Sequence, residues 1–227
     1  MHKKQHLRSA TAQQTEGVTL DHAAKIYDVL TPLMTLGLDR RYHRLVIQRL
    51  ALRGNEQILD IGCGTGTLTR DIAAALGNKA RSRCTGLDAA EQMIKAAKRK
   101  AAGIPNIRFD AAVAEHLPYA DSSFDAAVST FFFHHVHLGL KKKVLAETAR
   151  VLKPGGRFII VDVDTPTTWF GSICARSGHW LFQQNEIAEN IDGKLREAFN
   201  SSPFKWKAVS HHSGYITVFE LMAPAAS

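Results

Sequence analysis

The stretch Ile58 to Ala73, ILDIGCGTGTLTRDIA, constrains this chain more than any other. An apolar run, Ile58-Leu59-Asp60-Ile61, reads as a short buried strand that breaks on Gly62-Cys63-Gly64-Thr65-Gly66. Leu68, Ile72 and Leu76 then recur at helical spacing. Strand, glycine turn and helix are the first half of a nucleotide-binding βαβ unit. The glycines can take φ > 0 and lack the Cβ that would hold a ligand away. The helix behind them starts with unpaired N–H groups and a positive dipole end, which suits an anionic group. A tight turn with no ligand is the plainer reading of the same residues.

The spacing argues against a dinucleotide. Counted from Gly62, the G-x-G-x-x-G fingerprint puts its third glycine at position 67; the chain has Thr67 there and a glycine one place early, at Gly66. Asp60 sets a carboxylate at the ligand end of the strand, where it repels pyrophosphate and attracts an ammonium. An amino-acid-bearing nucleoside fits this turn better than a nicotinamide dinucleotide does.

With 227 residues, 45% of them hydrophobic, the chain can bury one sizeable core, and a single domain is expected. No apolar stretch approaches the roughly 18 residues that a membrane span requires. The basic N-terminus, MHKKQHLRSATAQQTEG, lacks the apolar segment of a secretory signal. Cys63, Cys84 and Cys174 form no CxxC pair and read as reduced thiols, so a cytoplasmic location is expected. The net charge is +8, with basic clusters at Lys3-Lys4-Arg8, Arg40-Arg41-Arg44, Lys95-Lys98-Arg99-Lys100 and Lys141-Lys142-Lys143. Such charge suits nucleic acid, anionic lipid or an acidic substrate, or simply solvated helix faces; no interleaved aromatics mark a nucleic-acid surface.

In order, residues 1–17 read as a flexible basic tail and 18–52 as a helical cap ahead of the first strand. Cys84 to Asp88 is a second strand, and Asp88 lies 88 − 66 = 22 residues beyond the last turn glycine. An acidic group at about that separation accepts both ribose hydroxyls; Asp88 equally suits the N-cap of a helix over Ala89 to Ala102. Further strands are read at Ile107 to Phe109, Phe124 to Ser129 and Arg157 to Asp162, with a helix over Leu140 to Leu152. That alternation gives a parallel sheet. Residues 165–184 read as irregular and aromatic, Glu186 to Phe199 as a helix, and Phe204 to Val209 with Tyr215 to Leu221 as a hairpin around His211-His212-Ser213-Gly214.

Four pieces, LDIGCGTGTLT, TGLDAAEQMI, AEHLPYADSSFDAAVST and ETARVLKPGGRFIIVD, resemble the motifs of class I S-adenosylmethionine (SAM)-dependent methyltransferases, in the family's order and over Gln57 to Asp164. The resemblance implies an α/β, Rossmann-like, mostly parallel seven-stranded sheet of order 3-2-1-4-5-7-6 with the last strand antiparallel. It divides residues 18–227 into the cap, a SAM-binding core over 57–164, and an acceptor-side segment with the closing hairpin over 165–227. A narrower likeness, in AAKIYDVLTPLMTLGLDRRYHRLVIQRL, Phe131 to Val136 and GYITVFEL, is to the ubiquinone/menaquinone C-methyltransferase family. Phospholipid N-methyltransferases and other small-molecule methyltransferases share parts of it.

By that resemblance, Gly62, Cys63, Gly64 and Gly66 lie against the methionine part of SAM and Asp60 holds its ammonium. Asp88 takes the ribose diol, Ala89 and Met93 flank the adenine, and Ala114 and Glu115 meet its edge. Val113 stands where the family often has Asp, which removes a side-chain acceptor for the adenine amine. Thr130 and Phe131 face the sulfonium. The reaction is in-line methyl transfer, in which alignment does most of the work and a carbon or phenol acceptor needs one general base. His134, His135 and Asp162, at the carboxyl ends of strands, and Tyr27 in the cap are the candidates, against plainer roles in turns, caps and packing. Asp164 shares that strand end, and His211 and His212 are expected in a loop. Trp169, Phe170, Trp180 and Phe182 are expected around an apolar entrance or in ordinary core. The acceptor expected is small and apolar or lipid-like, such as a quinol ring carbon, with peripheral contact to an anionic membrane surface and self-association both open. No metal is expected. An RNA methyltransferase, for which no appended RNA-binding module is seen, and a SAM-binding protein without turnover are the other classes.

Overall fold

The computed structural model describes Thr15 and residues 39–77, 82–182 and 185–225. Tyr27 and most of the expected cap and tail lie outside these residues. The described chain runs α1 (Asp39–Leu50), β1 (Gln57–Ile61), α2 (Thr67–Leu76), β2 (Arg83–Asp88), α3 (Glu91–Lys100), β3 (Ile107–Ala111), β4 (Phe124–Thr130), α4 (Leu138–Val151), β5 (Leu152–Val163), α5 (Trp169–Phe182), α6 (Asn185–Ile191), α7 (Lys194–Asn200), β6 (Lys205–His212) and β7 (Ile216–Met222). A 3₁₀ turn, Phe133–His135, follows β4.

One seven-stranded sheet has the order β3-β2-β1-β4-β5-β7-β6. Neighbours among β1 to β5 pair parallel, and β7 runs antiparallel to both β5 and β6. This is the topology that the motif order implies. The central strands are apolar on both faces because helices cover both. Successive residues alternate between the two cores: Leu59 and Ile61 pack with Phe133, Leu145 and Phe199 on one face, while Ile58 packs with Ile72, Val128 and Val161 on the other. Tyr42, Val46 and Leu50 are fully buried at four-residue steps, so α1 lays one stripe on that second face beside α2.

The parallel order brings the carboxyl ends of β1, β2, β4 and β5 to one edge, where ligands of such sheets bind. Packing behind that edge is tight. A Cβ built on Gly86 of β2 would stand 2.7 Å from the Phe109 ring and 2.9 Å from Cys63 Sγ. Gly86→Ala is therefore expected to destabilise the chain by about 1–3 kcal/mol through overpacking, read as a lower midpoint in urea. An unchanged midpoint would mean that Phe109 and Cys63 can retreat.

Three expectations need correction. Residues 165–184 are not irregular, since α5 fills Trp169–Phe182. Its pattern misled because Trp169, Phe170 and Ile173 point to solvent, so its apolar residues do not form one core stripe. The helix expected over Glu186 to Phe199 is broken into α6 and α7 at Gly193, where φ is +84°. His211 and His212 belong to β6, not to a loop: the turn is Ser213-Gly214-Tyr215, with φ +52° and +72° at its first two residues, closed by Tyr215 N donating to His212 O at 3.2 Å. Positive φ at both central residues is the hairpin turn whose twist matches its strands.

Candidate active site

The glycine turn is tied across to the end of β2. Gly62 N and Cys63 N both donate to Leu87 O, at 2.8 and 3.0 Å. Gly64 N donates to Asp88 Oδ2 at 2.9 Å, and the other oxygen of Asp88 accepts from Ala90 N at 2.8 Å. Asp88 thus organises the turn and tethers the approach to α3; the N-cap itself is Ala90, without a side-chain bond, so the expectation that Asp88 is the N-cap is corrected. Gly62, Gly64 and Gly66 all take positive φ, and Gly66 caps α2 without a side-chain bond. The Cys63 thiol turns inward to the cluster of Ile94, Ala97 and Phe109. Burial, and then the carboxylates of Asp88 and Asp60, push that thiol well up, so it stays protonated and donates to Gly64 O within the turn at 3.7 Å.

Asp60 lies beneath the turn, 1% exposed, and accepts from Thr69 Oγ1 at 2.6 Å. Burial pushes its carboxyl up to about 6, against the lowering by Thr69. On the other side of Asp88, its backbone carbonyl accepts from Ala112 N at 3.1 Å, which sets the exit of β3 beside it. Met93 and Ala114 are buried there, and Ala89, Val113 and Glu115 are half-buried. The loop that carries Ala114 and Glu115 is clamped from α4. Glu147 accepts from Leu117 N at 2.8 Å, while Arg150 donates to Leu117 O and Tyr119 O and pairs with Glu147 and Asp121. That clamp is the physical content of the ETAR segment.

At the exit of β4, Phe131 takes φ +54°. The kink breaks the alternation of the strand, so Phe131 and Phe132 face different neighbours. The Phe131 ring packs edge-on against Tyr42 at 5.5 Å, on the α1 side. Phe132 instead lies over the glycine turn: a Cβ on Gly62 would stand 2.6 Å from its ring. Thr130, half-buried, closes β4 just before the kink.

Asp162 is fully buried. One oxygen accepts from Phe132 N and Phe133 N at 3.0 and 2.7 Å, and the other meets His134 Nδ1 at 2.7 Å. Asp162 thereby holds the β4 exit and meets the His134 ring. A carboxylate only accepts, so Nδ1 carries the proton and Nε2 of the neutral ring keeps its lone pair. His134 is 7% exposed, with the half-buried His135 ring 4.0 Å away.

Residues 58–156 match the model of a methyltransferase domain. The core of this chain is a methyltransferase domain. The chain is 34% identical over 172 residues to the demethylmenaquinone methyltransferase of Desulfitobacterium hafniense, covering 72% of this chain and 63% of that protein. It is 37% identical over 147 residues to a ubiquinone/menaquinone biosynthesis C-methyltransferase of Desulfotalea psychrophila, covering 64% of this chain and 57% of that protein. The chain thus spans about three fifths of the length of these curated relatives. Among solved structures, a SAM-dependent methyltransferase from Aquifex aeolicus shares the fold at a TM-score of 0.64 and 20% identity, over 90% of this chain and 99% of that one.

The fold also brings together residues that the sequence did not join. Tyr42 of α1 and His212 of β6 meet with ring centroids 5.5 Å apart, beside Phe131. No local pattern joins positions 42, 131 and 212; the juxtaposition comes from α1 crossing the sheet at the β6–β7 turn. The Tyr42 hydroxyl is buried, faces Ser213, and finds no hydrogen-bond partner among the described residues. Burial raises its pKa, with Ser213 opposing, and His212 is lowered by burial and then by Arg41. Tyr42→Phe is expected to leave stability unchanged or raise it by about 1 kcal/mol, since an unsatisfied buried polar atom is removed. A lower melting temperature would show that the hydroxyl is bonded. Asp164 is placed in a structural pair, held by Arg196 at 2.6 Å and by Thr217 at 2.8 Å. Trp169 and Phe170 are not core residues; they project outward at 77% and 58% exposure. Among the described residues, no group of three or more His, Cys, Asp or Glu could hold a metal ion, and no helix is long and apolar enough to cross a membrane.

Proposed function

We propose that the chain is a SAM-dependent methyltransferase that methylates a ring carbon of a small, apolar, quinol-like acceptor. The observation that carries the cofactor reading is the bond from Gly64 N to Asp88, which locks an acidic side chain beside the glycine turn with Asp60 beneath it. This arrangement fits the group: three positive-φ glycines give close backbone approach, and two carboxylates answer an ammonium and a sugar diol. When bound, SAM supplies an activated methyl carbon for in-line transfer. Asp60 holds its amine, Asp88 its ribose, and Ala89, Met93, Ala114 and Glu115 its base. Gly62, Gly64, Gly66 and the backbone of Cys63 form the floor, with Thr130, Phe131 and Phe132 on the acceptor side. The acceptor class follows the names of the relatives, both of which are quinone-pathway methyltransferases by title.

His134 is the group of this chain best placed to take a proton from an acceptor hydroxyl. Asp162 fixes its tautomer, so Nε2 is available as the base. Deprotonating a ring hydroxyl pushes electron density onto the ring carbon that attacks. His135, stacked on His134, shapes that corner. The experiment is transfer of labelled methyl from SAM into quinone, phospholipid, RNA and small-molecule pools. Label in the quinone pool is expected; label in RNA or phospholipid alone would overturn the acceptor, and none anywhere the enzymatic reading.

Asp60 gives this reading a pH signature. Its carboxyl is held at about 6, above the ordinary 3.8, so the fold favours the protonated form. The resulting stabilisation, about 3 kcal/mol, is full below pH 4 and is lost as pH rises to about 6. SAM binding runs the other way, because only the ionised carboxylate attracts the ammonium. Affinity measured by calorimetry is expected to rise about tenfold from pH 5 to 7. Asp60→Asn should abolish that slope, weaken SAM and raise stability at pH 7. A slope that persists in Asp60→Asn would remove Asp60 from the amine site.

A further inference from the structure

We propose that the outer face of α5 and the arginine face of α1 form one surface that docks on an anionic lipid bilayer, setting the acceptor side of the sheet against the membrane. The purpose of this surface rests on the methyltransferase reading; its geometry does not.

Exposed large apolar side chains are few among the described residues, and Trp169, Phe170 and Ile173, at 77%, 58% and 56% exposure, fall on one helix. At helical spacing they fall within an arc of about 100°. Single exposed hydrophobics are ordinary, but a contiguous aromatic face marks an interaction site. The inner face of α5 is committed: Ala175 is buried, and a Cβ on Gly171 would stand 2.3 Å from Gly214 O. Thr167 N also donates to Gly214 O at 2.8 Å. The helix is therefore seated on the β6–β7 turn with its aromatics facing out. That turn lies at the carboxyl edge of the sheet, because Val163 at the end of β5 pairs with Ile216 at the start of β7.

Charge selects the occupant. Arg40, Arg41 and Arg44 are exposed on α1 and also lie within an arc of about 100°. Tyr42, next to Arg41 on α1, packs edge-on against His212, the residue before the turn, with ring centroids 5.5 Å apart, so α1 borders the turn that α5 sits on. The segment of α5 from Trp169 to Phe182 contains no Asp or Glu, and Arg176 is exposed on it. Aromatics that enter the interfacial layer, flanked by arginines that meet lipid phosphates, are what an anionic membrane surface recognises. A second copy of the chain would set the same positive charges against one another across a two-fold contact.

The test is cosedimentation of the full chain with vesicles of phosphatidylcholine alone or with about one third phosphatidylglycerol, at low and high salt. Binding only to the anionic vesicles, released by salt, is expected. Trp169→Glu/Phe170→Glu should reduce partition at least tenfold, and each of Arg40→Glu and Arg44→Glu at least about fivefold. Calorimetry with SAM and methyl transfer to a short-chain, water-soluble acceptor should be unchanged in these variants. If the double variant does not fold, Ile173→Asp supplies the same readout. No partition by the native chain, or equal partition by the variants, overturns the proposal. So does a concentration-dependent dimer in light scattering that Trp169→Glu dissolves. A native chain that binds vesicles but gives no heat with SAM would overturn the enzymatic reading and leave the surface standing.

Discussion

Asp88→Ala is expected to weaken SAM binding by at least about a hundredfold. Two charge-assisted bonds from the ribose hydroxyls, at roughly 1.5–3 kcal/mol each, correspond to a factor of about 10² to 10⁴. The substitution has a second effect, because Asp88 also accepts from Gly64 N and Ala90 N. Without it, the middle of the glycine turn and the entry to α3 each lose a tether, and the cradle loosens as the sugar contact disappears. Asp88→Asn separates the two. Its remaining oxygen still accepts one N–H while the negative charge is gone, so an intermediate loss of about tenfold is expected. Circular dichroism should confirm that both variants fold. If calorimetry finds Asp88→Ala within threefold of the native chain, Asp88 is a structural tether and nothing more.

Asp162→Asn is expected to lower kcat by about 10² to 10⁴ while leaving SAM affinity unchanged. The asparagine oxygen can still receive Phe132 N and Phe133 N, so the β4 exit keeps its shape. Its amide group, however, presents N–H where His134 Nδ1 now meets a carboxylate oxygen. Two donors cannot face each other, so the imidazole shifts its proton to Nε2 and the base is lost. His134→Ala should lose a similar factor, and the double variant little more, because the two residues act as a unit. Asp162→Ala is a different experiment. It takes the acceptor from three backbone N–H groups, those of Phe132, Phe133 and Val163, and from an imidazole in a fully buried site, and a loss of several kcal/mol in stability is expected. If Asp162→Asn turns over normally, the pair is only a structural cap on the exit of β4.

Much of the fold was legible because local signals agreed. The apolar runs of β1 and β5, the glycine turn and the closing Gly155-Gly156 segment each admit few conformations, and their order specifies the topology. Asp88 could be read for the same reason, since its separation from Gly66 reflects the length of a βαβ unit. What could not be read was set by tertiary contact. A positive φ at Phe131 brings Phe132, to which the sequence assigned no role, over the glycine turn, and no residue type at position 131 announces that. Asp162 reads as a candidate base because it ends a strand on the ligand side; its bonds to the backbone of Phe132 and Phe133 depend on how β4 turns. The contact of Tyr42 with His212 was overlooked because 170 residues of chain separate them. The helix α5 hid because outward-facing aromatics imitate a disordered core pattern when only periodicity is read.

The central claim is that the turn from Gly62 to Gly66, with Asp60 below and Asp88 beside it, is shaped for a nucleoside carrying an amino acid. Competition calorimetry on the full chain tests it most directly. One-to-one binding of SAM and of its demethylated product in roughly the micromolar range is predicted, with no heat from a nicotinamide dinucleotide. Heat from the dinucleotide and silence from SAM would contradict it.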